Sequence, residues 1–185
     1  MLTDDLDVKI AGDRPSEDIR RNKNTPTQNS SVSSEQIKGA KAVGKAVANS
    51  FIRDAETEAG EEFRDFDMIL QRRLLLSFTA TAGFEQYISD DTLVGIAQKS
   101  FLDTLNKHNT ELYKTSSDTG AFSFYYLAFR RGSEVERRIG QTFAMLCLHD
   151  GDPIFQELGE ALYCWFSAEI RKTVCELKLD KHNKK

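Results

Sequence analysis

Apolar side chains recur at spacings of three and four through most of the chain after residue 35, the period of an α-helix with one buried face. The clearest run lies between Asp150 and Leu179, where Ile154, Phe155, Leu158, Leu162, Trp165, Phe166, Ile170, Val174 and Leu177 mark one side. Glu157, Glu160, Glu169, Arg171, Lys172 and Glu176 mark the other. Asp152 is placed to cap the first free amides, and Pro153 suits the first helical position, which needs no amide partner.

Earlier segments read the same way. Ser33 with Gln36 forms a capping box, opening a helix to about Glu58 that presents Ile37, Val43, Val47, Phe51 and Ile52. Ala40, Gly44 and Ala48 form a stripe of small residues that admits a close neighbour. A second helix is expected from an acidic start near Gly60 to Gly83. Leu74, Leu75 and Leu76 are consecutive and cannot share one narrow stripe, so this helix is contacted on more than one side. A third is expected from Asp90 or Asp91 to about Tyr113, followed by a loop over Lys114 to Gly120. The aromatic run Phe122 to Phe129 contains many strand formers, but Arg130, Arg131 and Gly132 suit a helix end, so it reads as a short helix. Ser133 and Glu136 suggest a second capping box for the next helix, which ends near His149.

These elements predict an all-α, single-domain bundle of five to six helices over residues 35–180, centred on the second and last helices. Residues 1–34 are poor in large apolar side chains and read as a flexible polar tail. Residues 181–185 read as a frayed basic end.

Composition narrows the function classes. The 185 residues carry a net charge of -4, which gives no overall attraction to nucleic acid or anionic membranes. The acidic opening Met-Leu-Thr-Asp-Asp-Leu-Asp is unlike a signal peptide, and no apolar run is long enough to span a bilayer. Cys147, Cys164 and Cys175 form no disulfide framework, so reduced thiols and a cytoplasmic location are expected. Lys38, Lys41 and Lys45 give the first helix a basic face, and weak membrane-surface contact by residues 36–53 competes with an ordinary solvated face. The apolar side of that helix lacks Trp and Leu, which favours the ordinary reading. This stripe is too short to signal nucleic-acid binding.

Candidate chemistry is sparse. His149, Asp150 and Asp152 resemble a metal cluster in sequence, but a helix C-terminus, a turn and a helix cap account for them separately. The cysteines have no evident base, and there is no phosphate loop, serine elbow or Cys-x-x-Cys pair. The strongest constellation is Tyr125, Tyr126, Arg130, Arg131, Arg137 and Arg138, in which arginine forks beside aromatic rings suit an anionic or planar ligand. Glu134 and Glu136 sit among these arginines and favour solvated, intrahelical pairs instead. The resulting expectation is a non-catalytic cytoplasmic interaction module that self-associates or binds a protein partner, with no cofactor and no metal. The alternatives are a small-molecule-sensing domain using the aromatic and arginine residues, and then an enzyme acting on an anionic substrate.

Overall fold

The computed structural model describes residues 32–58 and 66–179. Among these the chain forms α1 (Ser34–Glu58), α2 (Phe66–Tyr87), α3 (Asp91–His108), α4 (Thr110–Ser117), a 3-10 turn (Thr119–Phe122), α5 (Ser123–Arg130), α6 (Val135–Leu146) and α7 (Pro153–Glu176). No strand occurs among the described residues, and no described helix is long and apolar enough to cross a membrane. The flexible tail and frayed end expected from sequence fall almost wholly outside the described residues. Val32 is an exception, packing against the core at what was expected to be the tail's edge.

The core has two parts, and α2 and α7 contribute to both. One part joins α1, α3 and α4 to Leu76, Ala80 and Phe84 of α2 and to Phe166, Ile170 and Val174 of α7. The other joins the 3-10 turn, α5 and α6 to Leu74, Leu75, Phe78 and Ala82 of α2 and to Leu162 and Tyr163 of α7. The consecutive leucines of α2 therefore divide between two cores, as their spacing requires. A helix apolar on more than one side is stable only when covered on more than one side.

Three glycines set how closely the outer helices approach. A Cβ on Gly44 of α1 would lie 2.9 Å from the Phe101 amide nitrogen of α3 and closer still to the Ala97 carbonyl oxygen. On α6, a Cβ at Gly140 would lie 3.1 Å from the Glu160 nitrogen, and one at Gly159 of α7 would lie 2.8 Å from Phe143 Cγ. These contacts leave no room for a methyl group without moving backbone or a packed ring.

Several boundaries differ from the sequence expectation. Among the described residues there are seven α-helices rather than five or six, because the segment read as the end of α3 and a loop is a separate helix. Asn109 is extended at φ -151°, its N–H donates to the Leu105 carbonyl at 2.7 Å, and its side chain accepts from the Leu112 amide at 3.1 Å. One residue thus ends α3 and caps α4. Leu112 and Ser116 are buried, and the Ser116 hydroxyl lies 2.8 Å from that of Ser77. Gly83 does not stop α2, which continues to Tyr87; a Cβ there would lie 3.1 Å from Ile170 of α7. The second capping box is absent, because Glu134 occupies the cap position in the left-handed region at φ 50° and makes no side-chain cap bond. The first box forms as expected, with Ser33 N–H donating to Gln36 Oε1 at 2.9 Å and Gln36 N–H to Ser33 Oγ at 3.2 Å.

Candidate functional site

The aromatic and arginine residues singled out in the sequence occupy α5, the following turn and the start of α6. Phe78 of α2 is their hub, with ring centroids 5.4 Å from Tyr125, 5.1 Å from Tyr126, 6.0 Å from Phe129 and 6.2 Å from Phe122. Tyr125 is fully buried, stacked on Phe78, and its hydroxyl has no hydrogen-bond partner. Burial, with Cys147 nearby, holds that phenol well above the ordinary tyrosine range. Tyr126 is half-buried, and the Arg130 guanidinium lies 5.6 Å from its ring centre. Desolvation and then Glu85 push the Tyr126 phenol up, while Arg130 opposes them.

The other arginines turn elsewhere. Arg131 is exposed at the end of α5, beside Gly132 at φ 83°. Arg137 lies 3.7 Å from Glu134, both well exposed, and an exposed pair of this kind holds little energy. Arg138 donates to the Ser133 carbonyl and, at 3.2 Å, to the Ser133 hydroxyl, which fastens the turn before α6. The structure therefore brings Tyr126 and Arg130 together, places Tyr125 in the core, and gives Arg137 and Arg138 local partners. A buried hydroxyl without a partner costs about 1–3 kcal/mol relative to a satisfied one. Tyr125→Phe accordingly leaves stability unchanged or raises it by roughly 1 kcal/mol in urea unfolding; a clear loss would show that the hydroxyl has a partner that matters.

The larger signal was missed in the sequence because α7 is apolar on two sides. Leu162, Phe166, Ile170 and Val174 are buried as expected, but Ile154 is 72% exposed, Trp165 47% and Leu158 37%. Adjacent residues such as Trp165 and Phe166 point about 100° apart around a helix, so one core cannot take both. Ile154, Leu158, Ala161 and Trp165 recur at four, three and four, and form an outward stripe along about 16 Å of helix. Beside the stripe lies a groove of about 300 Å³ lined by Leu158, Ala161, Leu162 and Trp165 and by the ion pair between Asp54 of α1 and Arg72 of α2. That pair spans 2.7 Å, and the second Asp54 oxygen, Oδ2, is buried without a hydrogen-bond partner.

A separate groove of about 460 Å³ runs between the end of α2 and the outer face of α7, lined in part by Tyr87, Glu136, Tyr163, Cys164, Ser167 and Cys175. The Tyr87 and Ser167 hydroxyls lie 2.7 Å apart. The Tyr163 phenol is pushed up to about 12, first by burial and then by Tyr87, Glu136 and Cys164. Burial, then Glu136 and Glu160, also push the Cys164 thiol up. These effects keep Cys164 protonated and weaken it as a nucleophile. Cys175 stands three turns further along α7, roughly 16 Å away and far beyond disulfide reach of Cys164. Cys147 is buried, in line with its apolar position in the sequence.

His149 stacks on Phe155 with ring centroids 3.7 Å apart, while Asp152 caps α7 through the Ile154 amide at 2.9 Å. Among the described residues no group of three or more His, Cys, Asp or Glu side chains is arranged to hold a metal ion. No protein-family model matches the chain, and comparison with curated proteins and with solved structures finds no match.

Proposed function

We propose that the chain is a non-catalytic helical interaction module that pairs with a second copy of itself through the outward stripe of α7. The observation that carries this reading is the half-exposed Trp165, set in line with Ile154, Leu158 and Ala161 on a helix whose opposite side already forms the core. Tryptophan held in water forgoes a large burial gain, and such side chains dominate protein interfaces.

A second copy suits the stripe better than an unrelated groove because the stripe is complementary to itself when run antiparallel. Within it Ala161 is small enough for two helices to cross closely, with larger apolar residues on either side. With Ala161 at the crossing, Asp150 and Lys172 stand at equal distances before and after it, so antiparallel copies place opposite charges together. A single helix face buries area near the lower limit of specific interfaces, which sets the expectation at a reversible dimer with Kd in the range of about 1–100 µM. The exposed, free Cys164 and Cys175 suit a reducing compartment, and a cytoplasmic location is part of the same reading.

Trp165 is the chain's single tryptophan, so its fluorescence reports on this surface directly. Across a concentration series, light scattering shows a monomer–dimer equilibrium and the emission shifts to the blue over the same range. Trp165→Asp weakens association at least tenfold while leaving the unfolding midpoint nearly unchanged. A monomer at every concentration, or a dimer indifferent to Trp165→Asp, removes the reading.

A further inference from the structure

We infer that the groove between α1 and α3 is a second docking surface, and that it takes an acidic peptide segment of a partner protein. The groove encloses about 470 Å³, with Lys41 and Lys45 on the α1 side and Lys99, Lys107 and His108 on the α3 side. Its one acid, Asp103, is held by Lys99 at 3.1 Å. Lys41, Lys45 and Lys107 are exposed and have no acid partner among the described residues. A concentration of positive charge in a chain of net charge -4 is local, and it marks where a negative partner is attracted.

The chemistry of the groove selects among anions. Ser100 Oγ donates to the Lys41 carbonyl at 2.8 Å, and Thr104 Oγ to the Ser100 carbonyl at 2.7 Å, so both hydroxyls are committed to backbone. The remaining donors are flexible ammonium groups, without an arginine fork or a helix N-terminus to cage one phosphate. Such donors suit negative groups repeated along a chain. Between Ile96 and His108, α3 advances roughly 18 Å, enough to follow about five extended residues. No large apolar side chain on α1 or α3 is strongly exposed among the described residues, which leaves no anchor for a membrane and, for a nucleobase to stack on, the single imidazole of His108 in place of a row of rings. An acidic peptide needs neither.

The test is fluorescence anisotropy of the full chain with a labelled twelve-residue peptide alternating glutamate and serine. Expected is saturable binding at low salt that weakens at least tenfold on raising ionic strength about sixfold, because exposed charges are screened. The doubly substituted Lys41→Glu, Lys45→Glu chain loses at least tenfold in affinity, as does Lys107→Glu on the facing helix, with unchanged circular dichroism. Trp165→Asp binds the peptide normally, which separates this surface from the proposed dimer contact. Absence of low-salt binding, equal binding of a glutamine-for-glutamate peptide, or indifference to the lysine changes would overturn the inference. Tighter binding to phosphatidylserine vesicles or to single-stranded DNA than to the peptide would overturn it as well.

Discussion

Gly44→Ala lowers the unfolding free energy by about 3 kcal/mol, at the upper end of what overpacking of a single site costs. The methyl group would enter space held by the Ala97 carbonyl, the Phe101 amide and Ser100 Cβ, the last two at 2.9 Å. None of these is the free end of a flexible side chain, so the relief available is to move α1 away from α3. That movement loosens Val43, Val47, Ala48 and Phe51 against Ala97 and Phe101, and lengthens the bond from Ser100 Oγ to the Lys41 carbonyl. Gly95→Ala in α3 provides the contrast, because a Cβ there meets nothing within 4 Å. Alanine in an open helix position stabilises by roughly 0.5–1 kcal/mol over glycine through backbone entropy and helix propensity. Urea unfolding of the two variants should therefore give effects of opposite sign from the same chemical change. Equal effects would mean that α1 and α3 do not meet at Gly44.

The small-residue stripe containing Gly44 was legible in the sequence, since Ala40, Gly44 and Ala48 recur at four on one helical face. Its partner was not, because spacing along one helix carries no information about which other helix lies above it. The break at Asn109 shows a related limit. Leu105, His108 and Leu112 continue the helical period, but one asparagine in the extended region ends one helix and caps the next. The period survives the break because both helices face the same core. Lys114 to Ser117 read as a loop for want of apolar residues, yet Ser116 is buried by pairing its hydroxyl with Ser77. A buried serine that satisfies a serine on another helix leaves no hydrophobic trace.

The same limit governs the candidate sites. Tyr125 and Tyr126 are alike in sequence and both touch Phe78, but they point about 100° apart around α5, so one stacks inside while the other meets Arg130 at the surface. The two apolar sides of α7 were visible as the adjacent pair Trp165 and Phe166. One broad buried face would cover both, whereas the core takes Phe166 and leaves Trp165 half exposed. The lysines of α1 were visible too, but the groove needs Lys99 and Lys107 from a helix nearly sixty residues further along the chain.

Phe78→Ala has the largest expected effect, a loss of about 4 kcal/mol, within the range for deleting a buried phenylalanine. Phe78 is fully buried and contacts rings from the 3-10 turn and from α5, so its removal leaves a cavity bordered by Phe122, Tyr125, Tyr126 and Phe129. Relaxation into that cavity is restricted. Tyr125 already lies flat against the lost ring, and the adjacent α6 is held close to α7 by Gly140 and Gly159. Against a total stability of about 5–15 kcal/mol for a domain of this size, the loss is a large fraction of the whole. Its structural consequence is local first. The aromatic half of the core loses its hub, while the half formed by α1 and α3 keeps its own rings, Phe51 stacked on Phe101 at 6.3 Å and Phe84 edge-on to Phe101 at 6.0 Å. Near-ultraviolet circular dichroism should weaken more than the far-ultraviolet helix signal, and amides of α5 should exchange before those of α3. Phe78→Leu, which refills much of the volume, should recover more than half of the lost stability. A loss from Phe78→Ala below about 2 kcal/mol would instead require α5 to close onto α2 without its central ring, making Tyr125 rather than Phe78 the side chain that fixes α5 in place.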